Sequence, residues 1–360
     1  MGASIDLRST ARRLRRRALS AVAPLAALAL VVVFFAAAEF VQGLWQARAE
    51  GRQEPPGQAS FGQFWEGYES KFLTRRNATQ VLVQSAWVAV AGLGMTVIIV
   101  AGGIDLSIGN ALALACCALA WCLDQGKSGG VAVAAALGAG CGCGLLNGVL
   151  VSALRVPPFI VTLGTAMLFL GVSKGVANEL TISPRHVPDA IGNLLRTSAE
   201  HTFLALPAGV WLALGLAALT AAVLKFTVFG RHVFALGSNE STARLCGINV
   251  PATKIAVYTL SGLFAGIAGI YLFARLKVGV PTEGAGKELP IIAAVVIGGG
   301  SLSGGRGAVL GTLAGAAMMT TIQTGCSLLG APNRMQDIIL GAVIVAAVTL
   351  DQYRQRRSAV

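Results

Sequence analysis

Asp105 and Ser107 are polar residues at the edge of an apolar stretch, and they are the first candidates for a functional role. They lie within Val97 to Asn110, VIIVAGGIDLSIGN, just after a pair of glycines that ends an apolar run. Acids at the margin of an apolar span are rare and usually face the interior of a helix bundle or a water-filled path. A plainer role is also open, because the carboxylate could accept a backbone N–H and cap a helix that begins at Leu106.

A related segment returns 196 positions later in the chain. Residues 298–305 (GGGSLSGG) align with residues 102–109 (GGIDLSIG) without a gap, and five of the eight residues are identical. Two matching glycine-broken hydrophobic segments are typical of a transporter built from repeats, with its path near the breaks. Either segment alone could instead be a plain glycine-rich turn between two spans. The positions predicted to line or shape the path are Gly102, Gly103, Asp105, Ser107, Gly298, Gly299, Ser301 and Ser303.

The composition places these segments in a membrane. The chain is 55% hydrophobic and 12% charged, whereas a soluble domain has about 25% charged residues. Apolar runs of about 20 residues recur from end to end, which indicates an all-α membrane protein with many spans. The net charge of +12 is concentrated at the two ends and in one central loop. This distribution fits the positive-inside rule and does not require nucleic acid as a partner.

The apolar runs predict about ten transmembrane helices in one domain over residues 21–350. The ten runs are about 21–40, 77–101, 106–123, 131–154, 159–176, 207–224, 255–276, 290–298, 308–329 and 335–350. The eighth run is short, and we expect it to enter as a partial helix. Glycines at GxxxG spacing in the fourth, seventh and ninth runs predict faces where another helix approaches closely.

Basic residues predict the orientation of the chain. Residues 1–20 carry six arginines and are expected in the cytoplasm, and ten crossings return the tail at residues 351–360 to the same side. On this count the second and eighth spans run the same way, which predicts a parallel type of internal repeat. Arg75 and Arg76 lie on the side where the rule disfavours basic residues, and they count against this topology. Residues 42–76 have aromatic residues at helical spacing, which indicates an amphipathic helix along the membrane interface.

The central polar segment, residues 225–254, is the second candidate for a functional role. It has four Lys or Arg residues against one acid and is long for a simple connection. Ser238 or Asn239 can cap a short helix and Gly247 can end it. Because such a short surface helix is marginal alone, we expect it to contact a partner. The positions predicted to form this contact are Asn239, Glu240, Ala243, Arg244 and Gly247.

The sequence offers no sign of catalysis or of an energy source within the chain. Gly126-Lys127-Ser128 matches the end of a phosphate-binding loop, but Trp121 stands where the motif requires its first glycine. The seven cysteines show no CxxC spacing, so a metal site or a disulfide is not predicted. No nucleophile–base pair or metal-ligand set marks an enzyme. Paired intramembrane carboxylates and a histidine relay, which a proton-coupled carrier would often show, are also missing from the sequence.

Four motifs resemble those of the permease subunits of bacterial ABC sugar importers, of the ribose, xylose, arabinose and galactose type. They are GGIDLSIG at 102–109, PFIVTLGT at 158–165, the segment from Gly230 to Asn249, and GGGSLSGGRG at 298–307. Together they cover about residues 77–350. The related branched-chain amino acid permeases share the same architecture.

The resemblance implies a homodimer in the bacterial inner membrane, with cytoplasmic ABC ATPases below it and a periplasmic sugar-binding protein above it. ATP would be bound by the partner, so the chain itself would need no cofactor. The short loop helix would dock on the ATPase, although Ser241-Thr242-Ala243 stands over the family's EAA-like triplet and Glu240 lies one place early. The expected activity is inward transport of a monosaccharide by alternating access. Branched-chain amino acids or nucleosides as cargo, a self-sufficient carrier or channel, and a membrane receptor are the alternatives.

Overall fold

The computed structural model describes residues 23–44, 70–154, 156–198, 202–204 and 206–358. The predicted basic segment at 1–20 and most of the predicted interfacial helix, residues 45–69, lie outside the described residues. The two strands β1 (Thr202–Phe203) and β2 (Leu206–Pro207) pair in antiparallel fashion. The helices are α1 (Ala23–Leu44), α2 (Arg75–Val100), α3 (Ile108–Asp124), α4 (Gly129–Leu154), α5 (Pro158–Val176), α6 (Asp189–Gly192), α7 (Ala208–Phe226), α8 (Val228–Ser238), α9 (Glu240–Leu245), α10 (Val250–Leu276), α11 (Glu288–Ile297), α12 (Val309–Leu328) and α13 (Asn333–Ser358).

The prediction of an all-α membrane protein is confirmed. In the described part of the chain seven helices, α1, α2, α4, α5, α7, α10 and α13, are long and apolar enough to cross a membrane. Helices α3 and α11 are apolar but shorter, and α12 has 20 residues that include four threonines. Ten helices therefore lie where the sequence predicts ten spans. The eighth, α11, has only ten residues, as its short apolar run predicts.

Helix α2 is the centre of the bundle. Of its most apolar stretch 89% is buried, and every residue from Ser85 to Val100 is buried against neighbouring helices. Helices α1 and α13 lie at the edge, with 11% and 6% of their apolar stretches buried. Apolar side chains that the bundle leaves uncovered are expected where lipid is the solvent.

Glycines join α4 to α10 with their backbones in contact. A side-chain carbon on Gly140 would overlap the carbonyl of Gly262, and one on Gly144 would overlap the carbonyl of Tyr258. Gly148 faces the backbone of Ile255 in the same way. In lipid, where apolar burial does not drive helices together, such close approach is a main source of attraction. The GxxxG prediction for the fourth and seventh spans is confirmed.

Helices α2 and α11 run in the same direction, as predicted for the second and eighth spans. At the start of α11 the Lys287 ammonium lies 5.7 Å from the ring centre of Trp87, which is midway along α2. Beyond their ends the Gly305 N–H donates to the Val100 carbonyl at 2.9 Å. Each break joins two helices, and the two pairs of helices differ in length. At the first break α2 has 26 residues and α3 has 17, whereas at the second break α11 has 10 residues and α12 has 20.

The segment at 225–254 is more structured than the single loop helix that the sequence predicts. Thr227 ends α7 and caps α8, its hydroxyl accepting from the Gly230 N–H at 3.1 Å. Helix α8 has 11 residues, with Val233 and Leu236 buried. It was missed because its apolar face is too short to stand out beside the long spans. We call the side of the bundle that carries α8 and α9 the α9 end, and the opposite side the far end.

Candidate functional site

The first break, residues 101–107, connects α2 to α3. Gly102 has a φ of +83°, in the region that favours glycine. Asp105 is only 4% exposed, and its Oδ1 accepts from the Ser107 N–H at 2.8 Å and from the Ser107 hydroxyl at 2.6 Å. One of the two roles left open for Asp105, acceptance of a backbone N–H, is therefore present at Ser107. Asp105 is not the cap of α3, because that helix begins at Ile108 and not at Leu106, with Ser107 at its N-cap position.

A chain of hydrogen bonds extends from Asp105 into α4 and α5. The Ser107 hydroxyl accepts from the Asn147 amide at 2.7 Å, and the Asn147 carbonyl oxygen accepts from the Thr165 hydroxyl at 2.6 Å. All four side chains are buried. A buried polar chain whose members satisfy one another fixes its helices in one arrangement. Asp105 thus anchors the first break to the rest of the bundle.

Thr162 holds the other side of the same break. Its hydroxyl accepts from the Leu106 N–H at 3.1 Å and lies 3.3 Å from the carbonyl of Ile104, to which it can donate. The backbone between the two helices therefore finds partners in α5, as non-helical backbone at membrane depth requires.

Sequence reasoning missed Asn147, Thr162 and Thr165 as members of this site. A signal for Asn147 was present, because an amide within a glycine-rich apolar span is a rare polar group at membrane depth. Both threonines lie in the motif PFIVTLGT, which was noted only for its resemblance to a family.

The second break, residues 298–308, connects α11 to α12, and its glycines form the turns of the backbone. Gly299, Gly304 and Gly305 have positive φ values of +95°, +85° and +70°. Gly298 packs against the backbone of Gly311, where α12 returns beside α11. This contact confirms the close approach that the glycine spacing predicts for the ninth span.

Within the second break the two predicted serines have different surroundings. Ser301 is 2% exposed and its N–H donates to the Arg306 carbonyl at 3.0 Å, which closes a tight loop. Ser303 lies on the exposed side of that loop. The structure places Ser301 at the α9 end of the bundle and Ser303 at the surface of that end.

The two breaks meet each other and the end of α8. A side-chain carbon on Gly304 would lie 2.9 Å from the Cα of Gly102 and 3.0 Å from the Cα of Gly237. One on Gly237 would overlap the Val100 carbonyl, and one on Gly305 would lie 2.7 Å from the Ser238 hydroxyl oxygen. We call Gly102, Gly237 and Gly304 the glycine junction. Gly237 was not among the predicted site residues.

Helix α9 follows the glycine junction directly. The Asn239 side chain accepts from the Thr242 N–H at 2.8 Å, and Gly247 has a φ of +83°, so the predicted cap and helix end are confirmed. Glu240 pairs with Arg244 at 3.2 Å and with Lys254 at 2.9 Å.

The two faces of α9 differ in burial. Ala243 is 3% exposed and packs toward the bundle. The Arg244 side chain is 65% exposed, and Leu245 is 88% exposed. The exposed face of α9 thus carries one large apolar side chain beside one charged side chain.

The site holds no candidate for metal chemistry in the part of the chain that the structure describes: no group of three His, Cys, Asp or Glu side chains lies close enough to bind an ion. Its polar groups are the amides and hydroxyls around Asp105, which position backbone.

Replacing Asp105 by alanine should destabilise the fold. The change leaves the buried N–H and hydroxyl of Ser107 without their acceptor, at a cost of about 1–3 kcal/mol in unfolding free energy. Asp105→Asn keeps an oxygen in place and should lose less. Asp124→Ala, an exposed acid at the other end of α3, is the matched control. Thermal unfolding of the purified protein in detergent measures all three, and equal melting temperatures for Asp105→Ala and Asp124→Ala would contradict the anchoring role.

Comparison with known proteins agrees with this architecture. Residues 77–348 match the family model of the branched-chain amino acid transport system / permease component. The chain is 40% identical over 285 residues to the ribose import permease protein RbsC of Escherichia coli K12, covering 79% of this chain and 88% of the relative. It is 37% identical over 290 residues to RbsC of Bacillus subtilis 168, covering 78% and 86%.

A third relative is the xylose transport system permease protein XylH of Escherichia coli K12, 32% identical over 346 residues, covering 81% of this chain and 88% of the relative. No solved structure matches the chain. The family model covers both breaks, α8 and α9, so the matched region includes the whole candidate site. The chain belongs to the branched-chain amino acid transport system / permease component family.

Proposed function

We propose that the chain is the membrane-spanning subunit of an ABC importer that moves a monosaccharide into the cytoplasm by alternating access. The observation that carries the proposal is the glycine junction, where both breaks meet Gly237 of α8, two residues before the cap of α9. The similarity to ribose and xylose permeases supports a sugar as cargo. The proposed assembly is a homodimer in the inner membrane with both termini in the cytoplasm, a cytoplasmic ABC ATPase that binds the ATP, and a periplasmic sugar-binding protein.

The proposed coupling runs from α9 through α8 to the breaks. When the ATPase moves α9, the end of α8 moves with it, since only Asn239 separates the two helices. Gly237 meets Val100 and Gly304 backbone to backbone, so no flexible side chain can absorb the shift. Packed interiors transmit small displacements as changes between discrete arrangements. Movement of α9 thus shifts the positions of the ends of α2 and α11, while the hydrogen bonds that begin at Asp105 hold the start of α3 in place.

Arg244→Glu should weaken binding of the ATPase while the bundle stays folded. The change reverses an exposed charge and breaks the Glu240–Arg244 pair. A residue at the centre of a protein contact contributes about 1 kcal/mol or more to the binding free energy. We therefore expect the affinity for the ATPase to fall roughly fivefold. Leu245→Ser, which removes the exposed apolar side chain beside it, should have a similar effect. Arg185→Glu, an exposed site at the far end, is the control. The measurement is the affinity of the detergent-purified permease for its ATPase. Unchanged affinity in both α9 variants would contradict the proposal that α9 binds the ATPase.

Uptake of labelled pentoses and hexoses into proteoliposomes tests the function itself. The permease is measured alone and then with its ATPase, binding protein and ATP. Flux of one sugar only in the complete set supports the importer and identifies the cargo. Flux through the permease alone would establish a self-sufficient carrier or channel instead. Transport of a branched-chain amino acid or a nucleoside by the complete set would keep the mechanism and replace the sugar, and no flux of any solute would favour a receptor.

A further inference from the structure

Residues 278–288 descend into the bundle beside α3, and we call them the descending segment. They connect the end of α10 to the first residue of α11. A side-chain carbon on Gly279 would lie 2.6 Å from the Cβ of Ala120, near the end of α3. One on Gly284 would overlap the carbonyl of Gly109, at the start of α3. From position 109 to position 120 a helix rises about 16 Å, so the segment runs that far in from the far end.

The last residues of the descending segment lie halfway through the bundle. The Lys287 ammonium is 5.7 Å from the ring centre of Trp87, which has 12 residues of α2 before it and 13 after it. At the helical rise per residue, Trp87 is about 18–20 Å from either end of that helix. Lys287 and its neighbours Glu283 and Glu288 are therefore charged residues at membrane depth.

The charged side chains of the descending segment are only partly covered. Glu283 and Lys287 form an ion pair at 3.2 Å, and their side chains are 33% and 30% exposed. Glu288 is half-buried, and its Oε2 would lie 2.7 Å from a side-chain carbon on Gly109. Ala285, between the paired residues, is exposed. The bundle thus has an open polar face at mid-depth.

Lipid is not a suitable solvent for this face. Non-helical backbone at membrane depth is tolerated only where protein buries it or where it lines a water-filled cavity. Ala285 and Gly286, which has a φ of +79°, are exposed non-helical backbone at that depth. Charged side chains there also face the bundle interior or water.

Water suits the face better than a covering protein. The segment carries two acids and one lysine, and the lysine is paired with Glu283. A protein surface packed over the face would therefore bury the charge of Glu288 as well, and burial of a charge without an opposite partner is costly. The exposed side of the descending segment is thus suited to a wet space within the assembly.

The chemistry of the face matches the hydroxyl groups of a neutral sugar. The ammonium of Lys287 can donate hydrogen bonds, the carboxylates of Glu283 and Glu288 can accept them, and the exposed Thr282 hydroxyl can do both. Sugar hydroxyls also donate and accept, and hydrogen bonds to charged groups are the stronger kind. The ring of Trp87 attracts the ammonium and keeps it at this depth.

We propose that the descending segment lines the translocation path halfway across the membrane, where Glu283, Lys287 and Glu288 bind the hydroxyls of the transported monosaccharide. The proposal rests on the proposed function, which supplies the solute, and it adds the residues that contact that solute. It also connects the solute to the coupling route, because α11 begins at this face and ends at the second break. A shift of the second break would move α11 and the charged face with it.

Cysteine labelling measures whether water reaches the segment. Ala285→Cys is made in a parent protein whose two incompletely buried cysteines are removed by Cys246→Ser and Cys141→Ala. The permease–ATPase complex in nanodiscs is treated with a charged methanethiosulfonate, which can enter from both sides. Because the reagent reacts with the thiolate, Ala285→Cys should react about tenfold faster or more than Val33→Cys. Val33 is 66% exposed midway along α1, at the edge of the bundle, and is the lipid-facing control.

Attached groups of increasing size test whether the segment lines the path. In the complete assembly, ATP-driven sugar uptake by labelled Ala285→Cys should fall step by step as the attached group becomes larger. Binding of the ATPase and the melting temperature should stay unchanged, because the added group points into open space. The parent protein, treated with the same reagents, is the control.

Neutralising the charges tests the contact with the solute. Glu288→Gln and Lys287→Met should each lower sugar uptake about tenfold, because hydrogen bonds to charged groups are lost. Asp124→Asn, an exposed acid at the far end of α3, is the control and should transport normally. Glu288→Gln should also narrow the preference for the sugar over the deoxy analogue that lacks the contacted hydroxyl. A variant that merely loosens the fold would slow both solutes equally.

Three results would each overturn the proposal: labelling of Ala285→Cys as slow as that of Val33→Cys, uptake that ignores the largest attached group, and equal slowing of sugar and deoxy analogue in Glu288→Gln. Uptake by the unmodified assembly tests the proposed function separately. If that uptake occurs and the variants transport like the parent, the solute contact fails and the importer stands. If no solute is taken up, the importer fails and the solute contact fails with it, even where fast labelling shows water at the segment.

Discussion

Gly237→Ala should lower ATP-driven uptake about tenfold. The added carbon would overlap the Val100 carbonyl and lie 2.7 Å from the Gly305 nitrogen, so α8 must move away from both breaks. Extra volume in a close-packed site costs about 1–3 kcal/mol. If about 1.4 kcal/mol of this cost falls on the transition between the two transport states, turnover falls about tenfold. Uptake by the complete assembly in proteoliposomes is the measurement.

The matched control for this variant is Gly215→Ala on α7. A side-chain carbon there meets no heavy atom within 4 Å, while the change of residue type is the same. We expect unmodified uptake from this control. Binding of the ATPase by Gly237→Ala should persist, because the exposed face of α9 is untouched. Uptake by Gly237→Ala at the rate of the unmodified protein would contradict the coupling route through the glycine junction.

Gly144→Ala should lower the stability of the bundle. The added carbon would overlap the Tyr258 carbonyl and lie 2.9 Å from the Cα of Gly262, where neither helix has a side chain to move aside. Overpacking of this kind costs about 1–3 kcal/mol of unfolding free energy. Loss of backbone contact is especially harmful in lipid, where apolar burial does not hold helices together. Thermal unfolding in detergent measures the effect.

Helix α4 itself supplies two controls for Gly144, one of them within the same turn. Gly142 and Gly138 meet no heavy atom within 4 Å, so alanine at either position adds a methyl group without a clash. Because alanine favours the helix over glycine, these two variants should melt at the same temperature as the unmodified protein or slightly higher. Melting of Gly142→Ala and Gly144→Ala at one temperature would show that the α4–α10 contact does not limit stability.

The sequence by itself determined the features that depend on neighbouring residues. Long apolar runs predict the helices because a span must satisfy its backbone internally, and the short run at 290–298 predicts a partial helix. The glycine pairs predict where α2 and α11 end. Ser238 or Asn239 could be named as the cap of α9, and a backbone hydrogen bond as one of two roles for Asp105, because such contacts close within a single turn of chain.

Only the tertiary structure decided which of these features touch. Gly102, Gly237 and Gly304 come from three distant segments, and a glycine has no side chain whose type could indicate its partner. The same holds for Asn147, whose amide on α4 reaches Ser107, 40 residues earlier in the chain. Local chemistry determines where a helix begins and ends, whereas packing determines which backbones come close enough to act together.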